Sequence, residues 1–217
     1  MLGDRGTLPM WLWLLVCLLG LASSGCTTSD NDTAATNSLV EAVQAEKALT
    51  DPTVYRQHRD GFVAAGNGIV PFIERELQGE NASGDVSSAN RLRLYLEVLT
   101  RLRARDAHHS IEQLLERATD EDVQLAAVEA LAILGDHGSS TSIRAALNSP
   151  HPAVRTEAAR VAGILVCDDA IPELVKLLDE RAHVGPPTQA AAALHRLTGE
   201  LHGEDAAAWR RWLASRR

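Results

Sequence analysis

The chain has 217 residues, a formal charge of −8 and a pI near 5.5. An acidic balance excludes the basic surface that nucleic-acid binding selects for, so no nucleic-acid partner is expected. Aromatic residues make up only 4%, and β-branched or aromatic runs are few beside the abundant Ala and Leu, which favours an all-α fold.

The chain opens with a short segment holding Arg5 and Asp4, followed by "MWLWLLVCLLGLA" at 10–22. This run is too short for a membrane-spanning helix, which needs about 20 apolar residues. It suits the apolar region of a signal peptide, with small residues Ser23, Ser24 and Gly25 ahead of Cys26. The segment resembles the N-terminus of bacterial lipoproteins, in which small residues precede a cysteine that is diacylated on sulfur and then becomes the first residue. Gly25 and Cys26 match that pattern and Ser24 fits it, while Ser23 stands where an aliphatic residue is usual.

The resemblance implies a signal peptide at 1–25, lipid attachment at Cys26 and a periplasm-facing location on a bacterial membrane. Thr27 in place of Asp favours the outer membrane. Ordinary secretory cleavage near Ala22–Ser24 and an uncleaved anchor are the alternatives. Two acyl chains anchor stably where one does not. The polar stretch 26–37 then serves as a flexible tether. With Cys17 removed and Cys26 acylated, Cys167 is the remaining thiol, so no disulfide framework is expected.

Residues 38–89 form a degenerate helical capping region. Helical patterns fall at 39–49, within 53–65 and at 69–77, and "QGENASGDVSSAN" at 78–90 reads as a loop. From 90 to 217 the chain repeats itself. "VQLAAVEALAILG" from Val123 is matched 31 residues on by "VRTEAARVAGILV" from Val154. Ala127 aligns with Ala158, Leu131 with Ala162 and Leu134 with Leu165. Ala190, Leu194 and Leu197 continue the series downstream, and Tyr95, Leu99 and Leu102 precede it. Shorter helices follow, carrying Ile111 and Leu115, Ile143 and Leu147, and Leu174 and Leu178. A period of 31–32 residues built from helix pairs is the signature of a solenoid.

Local signals place the helix ends. Thr119 or Asp120 caps the helix near Glu121, Pro152 and Pro187 take first helical positions, and Asp168 or Asp169 caps the helix containing Pro172. Gly135 closes one first helix. Gly163 lies inside another, where it costs up to ~1 kcal/mol and points to close helix–helix contact.

These residues resemble HEAT-like repeats of the short bacterial kind. Val154, Arg155, Ala158 and Ala159 match the Val-Arg-x-x-Ala-Ala motif, and Gln124 replaces the arginine one repeat earlier. The C-terminus also resembles the ending of many bacterial HEAT-repeat proteins, through Leu197, Thr198, Gly199, Gly203, Asp205, Trp209 and Trp212. Two tryptophans three residues apart can cover the open end of the array. The fold expected is an α-solenoid of antiparallel helix pairs with a Trp-containing C-terminal capping helix.

Signals for chemistry are sparse. The eight histidines at 58, 108, 109, 137, 151, 183, 195 and 202 form no H-E-x-x-H motif and no zinc-spaced Cys–His cluster, so no metal or other cofactor is expected. Cys167 ends an apolar stretch and reads as a buried thiol. Arginines 91, 93, 101, 103 and 105 crowd one helix and read as a solvated face, with contact to anionic lipid or polysaccharide as the sharper alternative.

No catalytic residue stands out. The function expected is a non-catalytic scaffold that holds an unknown protein at the membrane. Polar residues of the second helices, Glu112, Glu116, Arg144, Glu173 and Lys176, are its candidate contacts. A lyase or ligand-carrying enzyme using the groove is the alternative, and an envelope-structural protein binding lipid or polysaccharide is the third.

Overall fold

The computed structural model describes residues 49–79, 86–180 and 182–216. The signal segment, Cys26, the tether and the helix expected at 39–49 lie outside these residues, except that Leu49 is described and buried. Among the described residues there are ten α-helices and no strand, and no helix is long and apolar enough to cross a membrane.

The helices alternate in length, longer first helices with shorter second helices, and each of the first four second helices packs on the first helix that follows it. The first helices are α1 (Pro52–Ala64), α3 (Val86–Leu102), α5 (Glu121–Leu134), α7 (Pro152–Ile164) and α9 (Gly185–Thr198). The second helices are α2 (Val70–Gln78), α4 (His108–Arg117), α6 (Ser140–Ala146), α8 (Ile171–Leu177) and α10 (Ala206–Ala214). The whole is an all-α solenoid.

Side-chain caps start several helices. Asp51 accepts from the Thr53 amide at 2.6 Å, Asp120 from Val123 at 3.0 Å and Asp205 from Ala208 at 2.9 Å. Each satisfies an amide that a helix start leaves without a partner. These amide bonds hold the Asp51 and Asp205 carboxyls below the usual carboxylate range. Glu121 and Asp122 add negative charge at the positive end of α5.

The first helices end in a shared way. Gly66 and Gly199 adopt φ of +65° and +78°, the left-handed turn that glycine permits. Arg103 and Val166 take the same conformation, with φ of 53° and 56°. There the following amides reach back, Ala104 to the Leu99 carbonyl and Cys167 to the Ala162 carbonyl, both at 3.0 Å. This is a Schellman closure, in which an apolar residue just past the helix packs onto the last turn. It gives the buried Cys167 a structural role. Gly135 closes α5 in an extended conformation instead. A Cβ there would stand 2.5 Å from the Leu131 carbonyl oxygen, so close approach requires this glycine.

Packing follows the repeat register. Leu99, Leu131, Ala162 and Leu194 are fully buried on successive first helices. Ile73, Ile111, Ile143, Leu174 and Trp209 are fully buried on successive second helices. The expected close contact at Gly163 is present: a Cβ there would meet the Ala193 Cα at 3.2 Å and Cβ at 3.3 Å. Aromatic residues gather at the two ends. Tyr95 meets Phe62 and Phe72 edge-on, each at 6.0 Å. Trp209 and Trp212 pack edge-on at 5.6 Å, with Trp209 fully buried and its indole N–H donating to the Gly203 carbonyl at 2.9 Å. The C-terminal cap is thus built by α10, which packs on α8.

Three expectations are corrected. The loop expected at 78–90 is helical from Val86 onward, where Ser88 is buried and Ala89 packs against the core one turn before Leu92. Pro187 is the third residue of α9, where an amide has no intrahelical partner in any case. Asp168 and Asp169 do not cap α8; they form a short 3-10 turn before it, and its N-cap is Ala170.

Two substitutions test this packing. Val166→Gly relieves a β-branched residue from the left-handed region at a half-exposed site, and is expected to stabilise by about 1 kcal/mol. Thermal melting should show a rise of roughly 2–4 °C. Gly163→Leu wedges α7 from α9 and is expected to cost about 1–3 kcal/mol in denaturant unfolding.

Candidate functional site: a groove along the second helices

A ladder of side chains crosses the turns between helix pairs. Gln124, in the first turn of α5, donates through Nε2 to the Ala118 carbonyl at 2.6 Å and accepts through Oε1 from the Ser149 hydroxyl at 2.7 Å. Thirty-one residues on, Arg155 occupies the matching place in α7. Its Nη1 donates to the Ser149 carbonyl at 2.7 Å, and its Nε and Nη2 grip both oxygens of Glu180 at 3.0 and 2.5 Å. Each rung therefore ties the turn before its own pair to the turn after it. The next place in the series is Pro186, which has no side-chain donor, so the ladder stops there.

The ion pair at the second rung is largely sheltered, with 15% and 16% of the two side chains exposed. Arg155 holds the Glu180 carboxyl below its ordinary range, and His183 adds a contact at 2.7 Å to the same carboxylate. A bidentate guanidinium–carboxylate pair fixes both position and angle.

Two hollows open beside this ladder. One, of about 130 Å³, includes Leu115, Glu116, Gln124 and Ser142 in its wall. The other, of about 460 Å³, includes Arg155, Glu173, Lys176 and Glu180. They share Asn148 and Ser149, so they form one groove across α4, α6 and α8. No aromatic side chain lines either hollow.

The groove brings together three of the five residues expected from sequence: Glu116, Glu173 and Lys176. Glu112 and Arg144 lie outside its walls. Glu112 faces His109 at 3.4 Å, and Arg144 faces Asp169 at 3.8 Å. Gln124, Asn148, Ser149, Arg155 and Glu180 were not among the expected contacts. Their signal is the register itself, since Gln124 and Arg155, and likewise Ser149 and Glu180, stand 31 residues apart.

The remaining polar groups are mostly engaged in structure. Glu97 accepts from Tyr55, Arg59 and Arg101, tying α1 to α3. Arg93 pairs with Asp122 and Arg91 donates to Ser88, while Arg103 and Arg105 are exposed. Burial pushes the Cys167 thiol up, away from the thiolate form that nucleophilic chemistry needs. Among the described residues no group of three or more His, Cys, Asp or Glu side chains is arranged to hold a metal ion.

The family model of HEAT repeats matches residues 109–195. That stretch runs from α4 into α9 and contains both rungs and the whole groove. No curated protein matches the chain.

The ladder predicts a pH-dependent contribution to stability. Because Glu180 ionises more readily when folded, its contribution is full above the unfolded carboxyl value near ~4.3 and is lost as pH falls through the folded value. Arg155→Met is expected to cost about 1–3 kcal/mol in urea unfolding at pH 7. The gap from the parent protein should narrow below about pH 4.

Proposed function

We propose that this chain is a lipid-anchored, non-catalytic scaffold of the bacterial envelope, tethered through Cys26 and binding a protein along the groove of α4, α6 and α8. The observation that carries the binding half is an open, polar groove whose floor is fixed by the ladder between repeats. Such a surface suits an extended protein contact, which needs length and hydrogen-bonding groups more than enclosure. The described aromatic residues sit at the two ends of the solenoid, away from the groove. That placement favours a scaffold over an enzyme holding a flat organic ligand, which would draw on stacking walls. The anchoring half rests on the apolar run, the small residues 23–25 and Cys26.

Two measurements test the two halves. The N-terminal peptide of membrane-extracted protein is expected to begin at Cys26 and carry two or three acyl chains by intact mass. An unmodified start elsewhere, or an intact Met1, removes the anchor. A photo-cross-linking residue at Ala145, Asn148 or Lys176, exposed positions of the groove wall, is expected to give one discrete protein adduct in cells. The same residue at Ala192, on the first-helix side, should give none. Absence of an adduct from all three groove positions overturns the binding reading.

A further inference from the structure

Half of the charges that line the groove already have partners. Arg155 and Glu180 close on each other, and Arg210 takes Asp179. Three charges remain uncommitted. Glu116 is exposed, and its recorded contact is the Ser142 hydroxyl at 3.3 Å. Glu173 has one carboxylate oxygen, Oε2, that is out of solvent and accepts no hydrogen bond. Lys176 is exposed and makes no ion pair among the described residues. The uncommitted charges are therefore two carboxylates against one ammonium.

A carboxylate oxygen withdrawn from water without a donor is unfavourable, and a donor brought by a ligand removes that penalty. The two carboxylates stand on α4 and α8, two helix pairs apart, too far to share a single small ion. Packed helices lie about 8–10 Å apart, so the separation is about 16–20 Å. An extended chain advances about 3.3 Å per residue and alternates its faces, so a spacing of about six residues covers that span with both side chains on one face. Between the ends lies Asn148, exposed at the meeting of the two hollows. It donates through Nδ2 to the Arg144 carbonyl at 3.3 Å, which leaves its carboxamide oxygen for an incoming amide.

We propose that the groove receives an extended segment of a partner protein carrying two basic side chains about six residues apart, and so on one face of the segment, one on Glu116 and one on Glu173. This rests on the scaffold reading and names the chemistry of its partner. A turn of the Glu173 carboxylate towards the basic side chain brings Oε2 the donor that it lacks. Lys176, one turn away on the same helix, accommodates an acidic or carbonyl group of the segment beside it.

The test uses the purified chain and fluorescein-labelled peptides of Ser, Gly and Leu bearing two lysines at varied spacing, read by anisotropy. Binding is expected to be tightest at a spacing of about six residues, weaker at about five, and to exceed the matching glutamate peptide by at least about tenfold. It should weaken as salt is raised. E116Q and E173Q are each expected to weaken it about fivefold or more while melting like the parent, and E112Q should leave it unchanged. Binding indifferent to spacing, unaffected by E173Q, or equally strong for the glutamate peptides overturns the proposal. If no peptide binds but the Asn148 cross-link persists in cells, the basic segment is wrong and the scaffold reading stands. If both fail, both fall.

Discussion

Consecutive first helices must lie close together, because each helix pair can bury its apolar face only against its neighbours. That approach depends on small side chains. Ala127 and Ala130 on α5, Ala158, Ala159 and Gly163 on α7, and Ala190 and Ala193 on α9 are all buried. Larger side chains at these places would part the helices and open the layer beneath. The second helices then carry the bulkier Ile and Leu into the space between pairs. In the described residues the rings gather towards the two ends of the array. Tyr95, Phe62 and Phe72 serve one end; Trp209, Trp212 and His202 serve the other.

Among the described residues the middle of the array is free of aromatic bulk and is held in register by polar contacts. The two rungs use different chemistry for one geometric task. A neutral amide joins a carbonyl and a hydroxyl, and a guanidinium joins a carbonyl and a carboxylate. The charged rung lines the larger hollow, so its sheltered ion pair defines the wall without offering free charge to a ligand. Glu116, Glu173 and Lys176 are left to set the electrostatics that a partner meets.

Much of this architecture was legible in the sequence. The apolar period around Val123 and Val154 located the first helices, and the isoleucines at 111 and 143 located the second. Asp120, Gly163 and the paired tryptophans each did in the structure what their chemistry implied. Turn chemistry was harder to foresee. Nothing local marks Arg103 or Val166 as left-handed, since neither residue favours that conformation; closure of the helix over Leu99 and Ala162 imposes it. Asp168 and Asp169 looked like caps because acidic residues precede a proline-bearing helix, yet a 3-10 turn intervenes before α8. For the groove, sequence could nominate polar residues on second helices but could not separate Glu116 and Glu173 from Glu112 and Arg144. That distinction depends on where along each short helix the side chain leaves it.

The ladder also sets a unit of length. Ala118, Ser149 and Glu180 mark boundaries 31 residues apart, and Gln124 and Arg155 each bind across the boundary behind and the boundary ahead. A copy of one such unit inserted at a boundary would find its acceptor already in place and would present a new one to its successor. An insertion of any other length in a helix would break both bonds at once. Lengthening by whole units is therefore the change that this chain accommodates without inventing a contact, and Pro186 marks the boundary beyond which the series no longer propagates.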